Sequence, residues 1–124
     1  KGRRFEYDVM ALLADLGYYC TRSAMSHGTV DIYANHILNK FILLVQCKDH
    51  KVLGTAHLIK TELRHLIQLA HSDNTVPVYA YKTKLPKGRG VTADRKRIVM
   101  IDLQTGNDIL TGDDYKHLLS WVNS

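Results

Sequence analysis

Residues 41–45 form the longest apolar run of the chain, and the polar sequence Gln46-Cys47-Lys48 follows it at once. A run of five apolar residues is far too short to cross a bilayer as a helix, and it is typical of a buried β-strand. Because side chains alternate along a strand, Gln46 and Lys48 would share one face, which turns polar only at its end. We therefore predict a central strand over residues 40–48 with polar groups at its carboxyl end.

Helical and strand-like patterns alternate around this strand. Phe5, Val9 and Leu13 recur at helical spacing, and Gly17 follows where a helix commonly ends. The predicted elements are a helix over 3–16, strands over 18–22, 29–34 and 40–48, a helix over 55–71, strands over 76–81 and 97–103, and a closing helix over 113–122. The second and third strands should pair as a hairpin. We predict an α/β fold with a central mixed sheet flanked by helices.

Length and composition fit one globular domain. The chain has 124 residues, of which 45% are hydrophobic and 23% are charged, and neither a repeat nor a linker divides it. We expect a single domain over residues 1–124. Seventeen Lys and Arg against twelve Asp and Glu leave a net charge of +5, which favours a polyanionic partner.

The sequence also indicates the cellular compartment of the protein. It shows neither a membrane-spanning segment nor a signal peptide. Cys20 and Cys47 stand apart, each inside an apolar strand-like run, which favours two reduced, buried thiols over a zinc site or a disulfide. We expect a soluble intracellular protein of the cytoplasm, with an organelle as an open alternative, and we expect neither a membrane partner nor a small-molecule cofactor.

Groups suited to a metal-dependent phosphodiesterase come from three places in the chain. Glu6 borders the apolar stripe of the first helix, Asp31 lies in the second predicted strand, and Gln46-Cys47-Lys48 ends the third. Because Mg²⁺ prefers oxygen ligands, Asp31 is the predicted principal ligand, with the Gln46 side-chain oxygen or the Cys47 backbone carbonyl beside it. Lys48 can orient or help to deprotonate the attacking water and offset charge on the phosphate.

With these residues the chain resembles the PD-(D/E)xK nuclease superfamily, which has the restriction-endonuclease-like fold, and within it the archaeal-type Holliday junction resolvases. The similar segments are residues 1–6, 17–19, 22–26, 28–34 and 45–48. The resemblance implies an αβββαβ core and a single nuclease domain.

The resemblance also implies the residues of an active site. The implied catalytic residues are Glu6, Asp31, Gln46 and Lys48, of which Glu6 would also bind the metal or its water. Arg22 and either Ser23 or Ser26 would assist with the scissile strand. The expected cofactor is Mg²⁺, for which Mn²⁺ should substitute.

Two positions depart from the usual motif. Val30 stands where proline often precedes the aspartate, and Gln46 replaces the more usual glutamate. The loss of a carboxylate should weaken Mg²⁺ binding. The Mrr-like branch of the superfamily nevertheless has a Gln-x-Lys motif, which Gln46 and Lys48 match, so this departure concerns the substrate more than the presence of activity.

Basic residues cluster in two parts of the sequence. Arg3, Arg4 and Arg22 belong to the segments that carry the proposed site. A second group surrounds a glycine-containing loop, where the predicted DNA contacts are Lys82, Lys84, Lys87 and Arg89. Such cations can follow phosphates. Since neither a recognition helix nor a zinc finger is visible, shape-based recognition of branched DNA is the expectation.

These features predict a Mg²⁺-dependent endonuclease that resolves four-way DNA junctions. Two strands must be cut symmetrically and each domain would have one site, so a homodimer is expected. An Mrr-like nuclease acting on other DNA in restriction, repair or organellar DNA maintenance is the first alternative. Because residue 1 is not Met, this nuclease could belong to a longer protein. The second alternative is an inactive DNA-binding module of the same fold.

Overall fold

The structure is a computed structural model that describes residues 3–23, 28–48, 56–72, 74–84 and 96–124. Three helices and five strands follow one another in these segments. They are α1 (Arg3–Asp15), β1 (Tyr18–Arg22), β2 (Ile32–His36), β3 (Ile42–Lys48), α2 (Ala56–Leu69), β4 (Thr75–Lys84), β5 (Lys96–Asp102) and α3 (Lys116–Asn123). The protein is therefore α/β, as the sequence predicts.

The five strands form one mixed sheet in the order β1-β2-β3-β4-β5. The strands β1, β2 and β3 pair as an antiparallel meander, and β3 pairs in parallel with β4. A parallel pair needs a crossover connection, and α2 lies within it. The antiparallel strand β5 completes the sheet beside β4. The apolar strand β3 is thus central, as predicted.

Each face of the sheet has its own apolar core. On one face, Phe5 and Val9 of α1 pack with Leu43 and Val45 of β3. On the other face, α2 and α3 cover the sheet, and Leu44 packs there with the helix residues. Because successive strand residues point to opposite faces, β3 contributes to both cores and positions its last residues between them.

Several element boundaries differ from those predicted. The second strand spans Ile32–His36 rather than residues 29–34, so Asp31 precedes β2 and the strand ends two residues later than predicted. Helix α3 begins at Lys116 rather than at residue 113. Strand β4 extends to Lys84, which places Lys82 and Lys84 in a strand and not in a loop.

The late start of β2 has a physical cause in the neighbouring elements. Thr29 Oγ1 lies 2.9 Å from His65 Nδ1 of α2, and Val30 is buried in the core beneath that helix. The Asp31 N–H donates to the Val45 carbonyl, although Val45 is paired with Ile32 in the strand register. Asp31 and Ile32 therefore both oppose Val45. This two-against-one pairing is a β-bulge, which redirects side chains and ends regular pairing.

The described helices are also short relative to a membrane. In the segments that the structure covers, no helix is both long and apolar enough to span a bilayer.

Candidate functional site

Asp31 is held in place by three hydrogen bonds at the entry to β2. Its N–H donates to the Val45 carbonyl at 2.8 Å, and its own carbonyl accepts from the Ser23 N–H at 2.8 Å. Its carboxylate atom Oδ2 accepts from the Cys47 N–H, also at 2.8 Å. Asp31 is therefore bonded to both chain neighbours of Gln46, so the predicted approach of the aspartate to the end of β3 is present.

The environment of Asp31 disfavours its charge. Burial raises the pKa of this carboxyl above its ordinary value, and the negative charges of Glu6 and Glu62 raise it further. The Cys47 N–H and the Lys48 ammonium act in the opposite direction. A cation beside Asp31 would favour the charged form of its carboxyl.

Gln46 and Lys48 share one face of β3, as the alternation predicts, and both contact Glu62 of α2. Gln46 is only 2% exposed, and its Nε2 donates to Glu62 Oε2 at 2.6 Å. Lys48 Nζ lies 2.8 Å from the same carboxylate oxygen. The other end of the Gln46 amide, Oε1, is buried without a hydrogen-bond partner in the described part of the chain. A buried carbonyl oxygen without a partner is costly, and it is suited to bind a hard cation.

Glu62 joins the site although no motif of the sequence singles it out. It lies three residues after Ile59 and four before Leu66, both of which belong to the apolar side of α2. The same spacing argument that placed Glu6 at the border of the α1 stripe would have identified Glu62. What the spacing could not supply is its contact with β3.

Glu6 approaches the site from the opposite face of the sheet. It lies in the first turn of α1, and its Oε1 accepts a hydrogen bond from Arg22 Nη1 at 3.2 Å. The Arg22 guanidinium also lies 5.5 Å from the centre of the Tyr7 ring. The side chain of Arg22 is 31% exposed, so it is partly buried beside Glu6.

These residues surround one polar cleft at the end of β3. The cleft has a volume of about 310 Å³ and is lined by Glu6, Gly28, Asp31, Gln46, Cys47, Lys48 and Glu62. The structure thus brings together all five residues that the sequence predicts for catalysis and metal binding, and adds Glu62 to them.

The donor atoms in the cleft fit a hard cation better than a soft one. Within the described segments, no group of three or more His, Cys, Asp or Glu side chains could by itself hold a metal. A Mg²⁺ site would thus need the Gln46 amide oxygen beside the Asp31 carboxylate, and Mg²⁺ is commonly held by few protein oxygens and several waters. Burial strongly raises the pKa of the Cys47 thiol, so only the backbone carbonyl of Cys47 is a suitable ligand.

The predicted DNA contacts are described only in part. Arg3 and Arg4 are exposed on the first turn of α1. Lys82 Nζ lies 5.2 Å from the centre of the Phe5 ring, which places a cation near the start of the same helix. The described residues include Ser23, which binds Asp31 through its backbone. Ser26, Lys87 and Arg89 and the side chain of Lys84 lie outside the described part of the structure.

The fold and the cleft together define an α/β protein with a five-stranded mixed sheet and an acidic, lysine-containing site at the end of its central strand. Comparison with known proteins adds no relative, since neither a protein-family model nor a curated protein matches the chain.

Proposed function

We propose that this protein is a Mg²⁺-dependent DNA endonuclease of the PD-(D/E)xK type that cuts branched DNA as a homodimer. The observation that carries the proposal is the meeting of Asp31, Gln46 and Lys48 in one cleft, with the buried Gln46 Oε1 lacking a partner among the described residues. A purely structural glutamine at this position would be expected to use both ends of its amide.

The order of elements supports the proposal. Helix α1, strands β1 to β3, helix α2 and strand β4 follow one another in the αβββαβ order that the sequence resemblance implies. The predicted site residues fall on α1, at the entry to β2 and at the end of β3.

The five cleft residues that the sequence predicts each have a role in the proposed reaction. The Asp31 carboxylate and Gln46 Oε1 would hold Mg²⁺, with the Cys47 carbonyl beside them and Glu6 binding the ion or its water. The bound ion would supply Lewis-acid stabilisation of the phosphate and a more acidic water. Lys48 places an ammonium group at the cleft, where it can orient the attacking water and offset the charge of the phosphate.

The charge around the cleft fits a nucleic-acid substrate. Arg22 and Lys82 lie near the first turn of α1, and Arg3 and Arg4 are exposed on that turn. Because the chain has a net charge of +5, attraction to the phosphate backbone would support binding. A twofold pair of such domains would present two sites to the two strands of a four-way junction.

The decisive experiment is cleavage of labelled four-way junctions by the Asp31→Asn variant in Mg²⁺. We expect loss of cleavage beyond the ~100-fold that removal of an outer-shell partner causes, while junction binding persists. Asp15→Asn, which removes a charge from the exposed end of α1, should cut normally. Equal cleavage by the wild type and Asp31→Asn would disprove the assignment of Asp31 to the metal site.

Flap and linear duplex substrates in the same assay would separate a junction-resolving enzyme from an Mrr-like nuclease.

A second candidate function is DNA binding without catalysis. It is favoured by one observation, namely that the cleft residue at the end of β3 is the neutral Gln46 where the resembling motif more usually has a glutamate. Tight junction binding by the wild type, with no cleavage in either Mg²⁺ or Mn²⁺, would support this alternative.

A further inference from the structure

One carboxylate oxygen of α2 contacts two neighbouring side chains of β3. Glu62 Oε2 lies 2.6 Å from Gln46 Nε2 and 2.8 Å from Lys48 Nζ. Glu62 is anchored by its helix, because the next residue, Leu63, is fully buried against the sheet. The contact therefore joins an element of the second core to the end of the central strand.

We propose that Glu62 is a positioning residue that fixes the Gln46 amide with its oxygen directed away from α2, so that Gln46 can act as a metal ligand. The inference rests on the proposed nuclease function, because it assigns the means by which a Gln-x-Lys site holds its cation.

The two ends of the Gln46 amide form different hydrogen bonds. The NH₂ end of glutamine only donates hydrogen bonds, its oxygen only accepts them, and a carboxylate only accepts them. If the Gln46 amide were rotated by half a turn, Oε1 would face the Glu62 carboxylate, and two acceptors would meet without a proton between them. Glu62 therefore selects one orientation, in which Oε1 is the atom left without a partner among the described residues.

Glu62 also changes the charge at the end of β3. Gln46 is neutral, so the end of β3 lacks the negative charge that a glutamate would provide there. Glu62 brings a carboxylate to the same place from α2, and its side chain is 40% exposed, which leaves this charge partly screened. Glu62 also binds Lys48, so one residue orients the amide and restrains the lysine ammonium.

The role of Glu62 is tested by exchanging the amide and the carboxylate between positions 46 and 62. Glu62→Gln removes the charge, and the new amide at position 62 can donate or accept, so the Gln46 amide loses its fixed orientation. Gln46→Glu instead places a second carboxylate against Glu62. In the double variant Gln46→Glu/Glu62→Gln, the hydrogen bond re-forms with donor and acceptor exchanged.

Mn²⁺ binding is measured by titration calorimetry on the purified chain without DNA. We expect Glu62→Gln to weaken Mn²⁺ binding by about 10–100-fold, the usual effect of losing an outer-shell partner, and the double variant to return to within about tenfold of the wild type. Asp15→Asn is the matched control, because it removes one negative charge from the surface at the far end of α1. It should leave Mn²⁺ binding unchanged.

Thermal unfolding without metal gives a second readout that does not depend on catalysis. Gln46→Glu should lower the midpoint of unfolding, and adding Glu62→Gln should recover it. Even if the single variant fails to fold, recovery in the double variant supports the contact, and a double variant as unstable as the single one overturns it.

The two proposals fail in different ways. If Asp31→Asn abolishes Mn²⁺ binding while Glu62→Gln binds it like the wild type, the role of Glu62 is wrong and the nuclease site stands. If Asp31→Asn binds Mn²⁺ as tightly as the wild type, the metal site itself is wrong and the role of Glu62 falls with it.

Discussion

Gln46 illustrates how much a single polar residue in an apolar strand can indicate. It follows five apolar residues and is buried almost completely, and a buried amide is costly unless its atoms are paired. Its amino end is paired with Glu62, whereas Oε1 has no partner in the described segments. The sequence could predict that Gln46 needs partners, but not that Oε1 would lack one among the described residues.

Asp31 is the residue for which stability and function should conflict. Burial, with the charges of Glu6 and Glu62, raises the pKa of this carboxyl above 3.8. The folded chain then holds the proton more tightly than the unfolded chain, so ionisation of Asp31 opposes folding. This unfavourable effect is absent below pH 3.8, grows as the pH rises to the raised pKa, and stays constant above it.

We therefore predict that Asp31→Asn is more stable than the wild type at neutral pH when divalent metal is removed with EDTA. The amide oxygen of the variant can still accept from the Cys47 N–H, so the hydrogen bond is kept. Thermal unfolding followed by circular dichroism at several pH values measures the difference, which should vanish below pH 3.8. Adding Mg²⁺ should raise the midpoint of the wild type only. A wild type more stable than the variant in EDTA at neutral pH would contradict this prediction.

At the scale of elements, periodicity predicted the helices and most strands well. The α1 stripe of Phe5, Val9 and Leu13 is buried as expected, and β1 has the predicted bounds. The start of β2 was missed because Thr29 bonds to His65 of α2 and Asp31 forms a bulge opposite Val45. Both contacts join parts of the chain that are distant in sequence, and a local pattern contains no information on them.

The same difference between local patterns and long-range contacts explains which site residues the sequence could predict. Asp31, Gln46 and Lys48 were predictable because alternation along a strand and pairing of a hairpin are local rules. Glu62 belongs to the crossover helix α2, and where that helix lies over the sheet depends on how it packs against the core on its own face.

Gly17 gives a prediction at this scale, because it connects α1 to β1. Its φ is +96°, and a Cβ added there would lie 3.1 Å from His36 Nε2. The His36 ring cannot easily move, since it bonds to the Leu16 carbonyl and the Leu38 N–H. We expect Gly17→Ala to lower the free energy of unfolding by more than the ~1–2 kcal/mol typical of a left-handed conformation alone.

Gly112→Ala is the matched control for that variant. Gly112 has a φ of +81°, and nothing lies within 4 Å of an added Cβ, so only the backbone strain should be measured. Urea denaturation of the two variants gives the difference. Equal losses would show that the contact with His36 contributes nothing.

At the scale of the whole molecule, the site lies where the two layers of helices meet the end of the central strand. Glu6 reaches the cleft from α1 on one face, and Glu62 reaches it from α2 on the other. Neither helix forms the cleft alone, so the arrangement depends on a sheet covered on both sides. The basic side chains Arg22 and Lys82 lie on the α1 side, which makes that side the expected approach for the phosphate backbone of DNA.

This arrangement predicts a position-dependent effect of charge on DNA binding. Lys82 lies beside the first turn of α1, the helix from which Glu6 reaches the cleft, whereas Lys40 is exposed before the opposite end of β3. Lys82→Ala and Lys40→Ala change the net charge equally. If Lys82 contacts a phosphate, its removal should reduce the slope of the logarithm of junction affinity against the logarithm of salt concentration by about one. Lys40→Ala should leave the slope unchanged.

Fluorescence anisotropy with a labelled junction in EDTA, over a series of salt concentrations, measures both slopes. Equal slopes for the two variants would mean that binding responds only to the total charge of the chain, and the α1 side would lose its assignment as the DNA-binding surface.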